Sequence, residues 1–337
     1  MHGPRHQRPK GGARSCGVRR ASLTAMSRLR SLPESAPLRV GRFTLHTDRW
    51  DGGPNGPVLL LHGLGGNSVT WHAVAPILAS ELRAKVLAID LPGFGASRPG
   101  DGRINLRTLS EVVLSVMQAA AAKDQRWVLA GNSLGGLLAL DLACRAPERV
   151  AAVNLAALAL PLQWGRERQR FAGLRQYLPL AVPWQGRRIV TRYVEQRGVP
   201  GVVDDPIAYL FKDPARLDAE LRQRLIGVSE YRLTWTKEAA RAYEQATLSL
   251  GWGLTWPGLA GRWIRDARCP VQAIYGSHDP IFPRAAWARL ERARPDWHYV
   301  SMPDVGHVPQ LEAPVEFAEH MLAWLSERGL ATRYPIS

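Results

Sequence analysis

Three short apolar runs decide most of what this chain can become. Residues 58–63 read VLLLHG, residues 85–90 KVLAID and residues 127–132 WVLAGN. Each is too short for a helix, shows no alternation with polar residues, and stops at a small or polar residue. Runs of that kind suit strands buried on both faces of a sheet. Between them the spacing changes to that of helices, over about 70–82, 109–122 and 134–144, and a further strand pattern starts at residue 149 (RVAAVNLAAL). Strands alternating with helices in this way predict an α/β fold: a mostly parallel central sheet with helices on both faces.

The edges of that pattern set the domain boundaries. Residues 38–50 (LRVGRFTLHTDRW) alternate apolar and polar side chains, as an antiparallel hairpin with one exposed face does. From 161 to 265 no buried-strand run occurs. Arg- and Trp-rich helical stretches replace it, RERQRFAGLRQYLPL and DPARLDAELRQRLIGV among them. Strand signal returns at 270–276 (PVQAIYG) and 297–302 (WHYVSM), and a helix over about 315–325 closes the fold. The expected organisation is a tail over 1–37, a core made of 38–160 with 266–331, and a helical cap over 161–265.

Charge and cysteine content narrow the classes. The chain carries a net charge of +15, and residues 1–42 hold ten Lys/Arg against the single acid Glu34. That leader has no apolar period and is expected to be disordered. Its Arg19-Arg20 pair is not followed by the apolar stretch an export signal needs. A solvated leader, or a true start at Met26, accounts for it better than nucleic-acid binding, so nucleic acid is not expected as a partner. No run of about 18 apolar residues exists to span a bilayer. Cys16, Cys144 and Cys269 have neither paired nor metal-ligand spacing. They read as free thiols in a reducing compartment, which points to the cytoplasm. The sequence is silent on oligomeric state.

The chemistry is concentrated in VLAGNSLGGLLAL, residues 128–140. Gly-x-Ser-x-Gly between a strand and a helix is the signature of a tight turn that lifts a serine above the sheet's C-terminal edge. Only glycine-sized neighbours two residues to either side let strand and helix approach closely enough. A serine hydroxyl needs a base, and GSHDPIFP supplies Asp279 after one strand while DVGHVPQLEAP supplies His307 after the next. Ser133, Asp279 and His307 fall in the chain order this arrangement demands. His307 would take the Ser133 proton and Asp279 would orient the ring. The oxyanion donors are expected to be the amides of Leu134, directly after the serine, and Leu64, in the loop HGLGGNSVTW. Asn132, Trp71 and Val308 are expected to contact substrate. No cofactor and no metal are expected.

HGLGG, DLPGFGAS, GNSLGG, GSHDP and GHVPQLEAP, in that order and each at a strand end, resemble the signatures of capped α/β-hydrolases over about residues 38–330. The resemblance implies that 161–265 roofs the site and selects substrate. It also implies that His62 supports its loop rather than acting in chemistry. Asp90 and Ser97 read as partners that fix the loop between them. The reading that follows is a cofactor-free serine hydrolase of carboxylic esters, acting through an acyl-enzyme on a small, largely apolar substrate.

Two other readings compete. GNSLGG also resembles the turn of hydrolases that cleave carbon–carbon bonds in ring-fission products, although Val308 follows His307 where a tryptophan is usual there. A binding protein on a hydrolase fold that has lost its chemistry is the alternative from another class, yet no triad member is missing. His278, beside Asp279, competes with His307 as base, but adjacent side chains point in different directions. The cap's 17 Lys/Arg against 10 Asp/Glu read better as arginines lying over an apolar underside than as an anion-attracting mouth.

Overall fold

A computed structural model of the chain describes residues 31–122, 124–161, 182, 184–255 and 259–330. The leader over 1–30 with Cys16 and Met26, the stretch RERQRFAGLRQYLPL, Trp164 and Trp256 lie outside the described residues. Eight strands form one sheet: β1 Glu34–Val40, β2 Phe43–Asp51, β3 Asn55–Leu61, β4 Ala84–Ile89, β5 Trp127–Asn132, β6 Val150–Ala156, β7 Val271–Gly276 and β8 His298–Met302. Their spatial order is β1-β2-β4-β3-β5-β6-β7-β8. The hairpin β1–β2 and the β2–β4 pair are antiparallel; every later pair is parallel. The α/β expectation is therefore met, including the hairpin at one edge. The sheet begins at Glu34 rather than Leu38, so residues 34–37 belong to its edge strand and not to the leader.

The apolar runs explain why the centre is parallel. All four side chains of Val58–Leu61 in β3 are fully buried, as are those of Val128, Leu129 and Ala130 in β5. Such strands need cover on both faces. One face is covered by α1 (Ala75–Leu82) and, near the chain's end, α9 (Pro314–Glu327), through Leu78, Phe317, Met321 and Trp324. The other takes α2 (Leu106–Ala120), α3 (Leu134–Arg145), α7 (Ala260–Asp266) and α8 (Arg284–Ala293), through Val113, Leu137, Ile264 and Trp287.

The helix expected over about 70–82 is broken in two. Asn67 caps a 3₁₀ turn, Ser68–Trp71, and α1 starts afresh with Pro76 in its first turn, where a missing N–H costs nothing. Helix α8 escapes the sequence pattern because only Trp287 and Leu290 mark its buried side.

Between β6 and β7 the chain turns wholly helical among the described residues: α4 (Gln185–Leu210, kinked at Gly198 with φ +61°), α5 (Ala219–Leu233), α6 (Thr236–Thr255) and then α7. Asp218 starts α5 by accepting from the amides of Glu220 and Leu221. These helices close over loops at the C-terminal ends of the strands. A Cβ on Gly93 would lie 2.4 Å from the Ala242 methyl, and the His307 amide donates to Leu210 O at 2.7 Å. Val203, Phe211, Leu221 and Leu225 pack on Val69, Val308 and Leu311 along this seam. Strand order reverses on either side of β3, with β4 to one side and β5 to the other. The crevice at such a reversal is where open α/β sheets bind ligands.

Candidate active site

Ser133 sits at that crevice, between β5 and α3, with φ +51°. A non-glycine residue held at positive φ is strained by about 1–3 kcal/mol and persists only when its surroundings fix it. Here they do. Its amide donates to Ala156 O at 2.9 Å, and its carbonyl accepts from Gly136 at 3.1 Å and Leu137 at 3.3 Å. A Cβ on Gly131 would fall 2.3 Å from the Gly135 carbonyl, and one on Gly135 would fall 2.3 Å from Leu61 O. Both glycines are thus required by backbone packed on backbone.

Asp279 and His307 meet directly. His307 Nδ1 lies 2.8 Å from Asp279 Oδ2, with side chains only 5% and 1% exposed. The other oxygen, Oδ1, accepts from the amides of Ile281 at 2.7 Å and Phe282 at 3.0 Å. A carboxylate can only accept, so the imidazole proton belongs on Nδ1 and the Nε2 lone pair is left free. His278 is a different matter. It is largely exposed, with its ring on Ser277 and 3.8 Å from Asp304, and takes no part in the pair.

The loop that carries His307 is fastened from three sides. The Gly306 amide donates to Glu312 Oε2 at 2.7 Å, the His307 amide to Leu210, and Asn132 Nδ2 donates to His307 O at 3.1 Å. Asn132 thus links the turn bearing Ser133 to the histidine loop. Its amide also donates to Ala156 O at 3.0 Å, which gives Asn132 a supporting role between the two loops. Glu312, buried, accepts from the Asp213 amide at 2.9 Å through its other oxygen and ties the helical segment to the same loop. Sequence reading missed it. The only signal is that Glu312 is the single acid of GHVPQLEAP.

The loop after β3 runs beside Ser133. A Cβ on Gly63 would lie 2.8 Å from Asn132 Oδ1 and 3.4 Å from Ser133 Cβ. Leu64 is the next residue of that loop, and Leu134 opens α3, where first-turn amides have no partner within the helix. His62 holds the loop: its Nε2 accepts from the Leu91 amide at 3.0 Å while Nδ1 reaches Gly63 O at 2.7 Å. The ring is therefore neutral, and burial pushes its pKa down. Asp90 accepts from the amides of Ser68 at 2.6 Å and Ala96 at 2.7 Å, and Ser97 Oγ accepts from the His46 amide at 2.8 Å, as loop-fixing residues should.

Trp71 and Val308, the other residues expected to contact substrate, are both buried. Trp71 is fully buried, edge-on to Phe317 with centroids 5.9 Å apart, in the core on the far side of the sheet. Val308 is buried in the seam under the helices, against Val69, Val203 and Phe211.

Comparison with known proteins agrees with this fold. The family model described as the alpha/beta hydrolase fold matches residues 56–314. The chain is 31% identical over 81% of its length to the dihydrolipoyllysine-residue acetyltransferase component of the acetoin cleaving system of Pseudomonas putida, of which it covers 65%, somewhat under two thirds. It is 30% identical over 77% of its length to the pimeloyl-[acyl-carrier protein] methyl ester esterase of Aromatoleum aromaticum and covers 94% of that enzyme. Among solved structures, a membrane phospholipase A described as a novel bacterial virulence factor superposes with a TM-score of 0.67 at 25% identity, covering 90% of this chain and 88% of that one. Among the described residues no helix is long and apolar enough to cross a membrane.

Proposed function

The chain belongs to the α/β-hydrolase fold family and is a hydrolase of the esterase kind; from that premise we propose that it cleaves carboxylic esters through an acyl-enzyme formed on Ser133. The observation that carries the reading is the buried Asp279–His307 pair, with its proton on Nδ1, tied through Asn132 to the strained turn that presents the serine.

In this mechanism His307 Nε2 takes the Ser133 proton as Oγ attacks the ester carbonyl. Asp279 keeps the ring in the productive tautomer and stabilises the imidazolium. The negative oxygen of the tetrahedral intermediate is received by the amides of Leu64 and Leu134, each worth about 3 kcal/mol in such a site. His307 then returns its proton to the departing alcohol. Water repeats the cycle in reverse, freeing the acid. No metal or cofactor is needed in any step. Residues 161–265 act as the cap that roofs the crevice and selects substrate.

The relative from Aromatoleum aromaticum is named for a methyl ester, which makes methyl esters the first substrates to assay. Ser133→Ala is expected to lower kcat on such esters by about 10⁴-fold or more and to abolish labelling by a fluorophosphonate probe. Turnover that survives the substitution would remove Ser133 from the mechanism.

A further inference from the structure

The helical segment brings two donors to the loop beside Ser133 that the mechanism above does not use. Helix α6 carries Tyr243, whose ring lies against Gly65: a Cβ on that glycine would meet Tyr243 Cε2 at 2.9 Å. The same ring is edge-on to Phe94 at 6.4 Å between centroids, and Phe94 is edge-on to His62 at 5.7 Å. Arg232, near the end of α5, has its guanidinium carbon 5.6 Å from the centre of the Trp235 ring. It stands within Coulombic reach of Tyr243, Asp90 and His62. Both side chains therefore reach the seam between the helices and the loop that carries Leu64.

Neither donor has an acceptor among the described residues. Among the described residues no carboxylate lies at ion-pair distance from Arg232 and no hydrogen-bond partner meets the Tyr243 hydroxyl; both residues are half-buried. Asp90 is already taken by the amides of Ser68 and Ala96. Burial disfavours the charge on Arg232 and pushes the Tyr243 hydroxyl up to about 12, so the phenol keeps its proton and remains a donor. Arg232 is half-buried and has no counter-ion among the described residues. A guanidinium fork with a phenol in Coulombic reach is suited to an anionic oxygen group.

We propose that Arg232 and Tyr243 form a subsite for an anionic oxygen group, a carboxylate or a phosphate, carried by the ester substrate close to its reacting carbonyl. The proposal rests on the serine-hydrolase reading and narrows its substrate class from apolar esters to esters with one charged end.

Matched substrates test it on the full chain. One arm compares monomethyl esters of dicarboxylic acids with methyl esters of neutral acids of equal length. The other compares an acylated glycerol phosphate with the acylglycerol that lacks the phosphate. The native enzyme is expected to favour the charged member in kcat/KM, and the arm with the larger ratio identifies the anion. Arg232→Gln is expected to lower that ratio by about 10- to 100-fold, mostly through KM, and Arg232→Lys to recover part of it. Tyr243→Phe is expected to lower it by about threefold to tenfold, and it carries the test alone should the arginine variants fail to fold. A ratio at or below one in the native enzyme, or one that these substitutions leave unmoved, overturns the subsite. If neutral esters are still turned over in a Ser133-dependent way, the hydrolase reading survives that failure. If neither class is turned over through Ser133, both fall.

Discussion

At the residue scale, two glycines in one chain give opposite predictions. Gly135 faces Leu61 O, which a Cβ would approach to 2.3 Å, and backbone of a central buried strand cannot yield. Gly135→Ala is expected to destabilise the fold by about 3 kcal/mol or more, read from the denaturant midpoint. Gly227 lies inside α5, where an added methyl would meet nothing within 4 Å. Gly227→Ala is expected to raise stability by about 0.5–1 kcal/mol, since alanine only restricts the unfolded chain and favours the helix. Equal losses at both sites would refute the steric account of the turn. Ser133, Asp279 and His307 were legible in the sequence because each follows a strand in a short, recognisable string. Glu312 and Asn132 were not read as supports, because their hydrogen bonds reach loops that only the folded sheet brings near.

At the scale of elements, the strands and their order of appearance could be read from apolar runs, whereas the clamp between helix and sheet could not. Arg224 on α5 donates to His72 Nδ1 at 3.0 Å, and His72 Nε2 donates to Asp48 Oδ2 on β2 at 2.8 Å. Ser68 and Ser35 also donate to Asp48, at 2.6 and 2.5 Å. These residues come from four separate segments, and no local spacing links them. The chain from helix to sheet passes through one partly buried guanidinium, so Arg224→Met should free α5 without disturbing the sheet. The expected cost is about 1 kcal/mol. Amide exchange over 219–233 should quicken about fivefold while β3 and β5 keep their protection. Unchanged exchange in α5 would show that the small apolar seam around Leu221 and Leu225, and not the polar chain, holds the helix down.

For the whole molecule, buried histidines set the response to acid. His62 must stay neutral in the fold, because its Nε2 accepts from Leu91 and burial lowers its pKa. In the unfolded chain it titrates near 6.5. Below that value the unfolded state takes up a proton that the folded state refuses, so the stability His62 contributes is full above pH 6.5 and is lost as pH falls. His46 behaves in the opposite sense. Its hydrogen bond to Asp48 raises its pKa, so its contribution is full below about 6.5 and is lost as pH rises through the raised value. Burial alone would raise Asp48, but hydrogen bonds from His46 and His72 outweigh it and hold the carboxylate far below its usual range, so Asp48 stays charged throughout. Between pH 7 and 5 only His62, of these three, moves stability downward. Because it is fully buried and His46 is partly exposed, the acid limb should dominate, with a slope of up to about 1.4 kcal/mol per pH unit. Thermal unfolding from pH 7 to 5 reads this directly. His62→Gln, which keeps an acceptor for Leu91 but cannot be protonated, should start from a lower Tm and lose less of it on acidification. A variant whose Tm falls with pH as steeply as the native protein's would place the acid sensitivity in some other group.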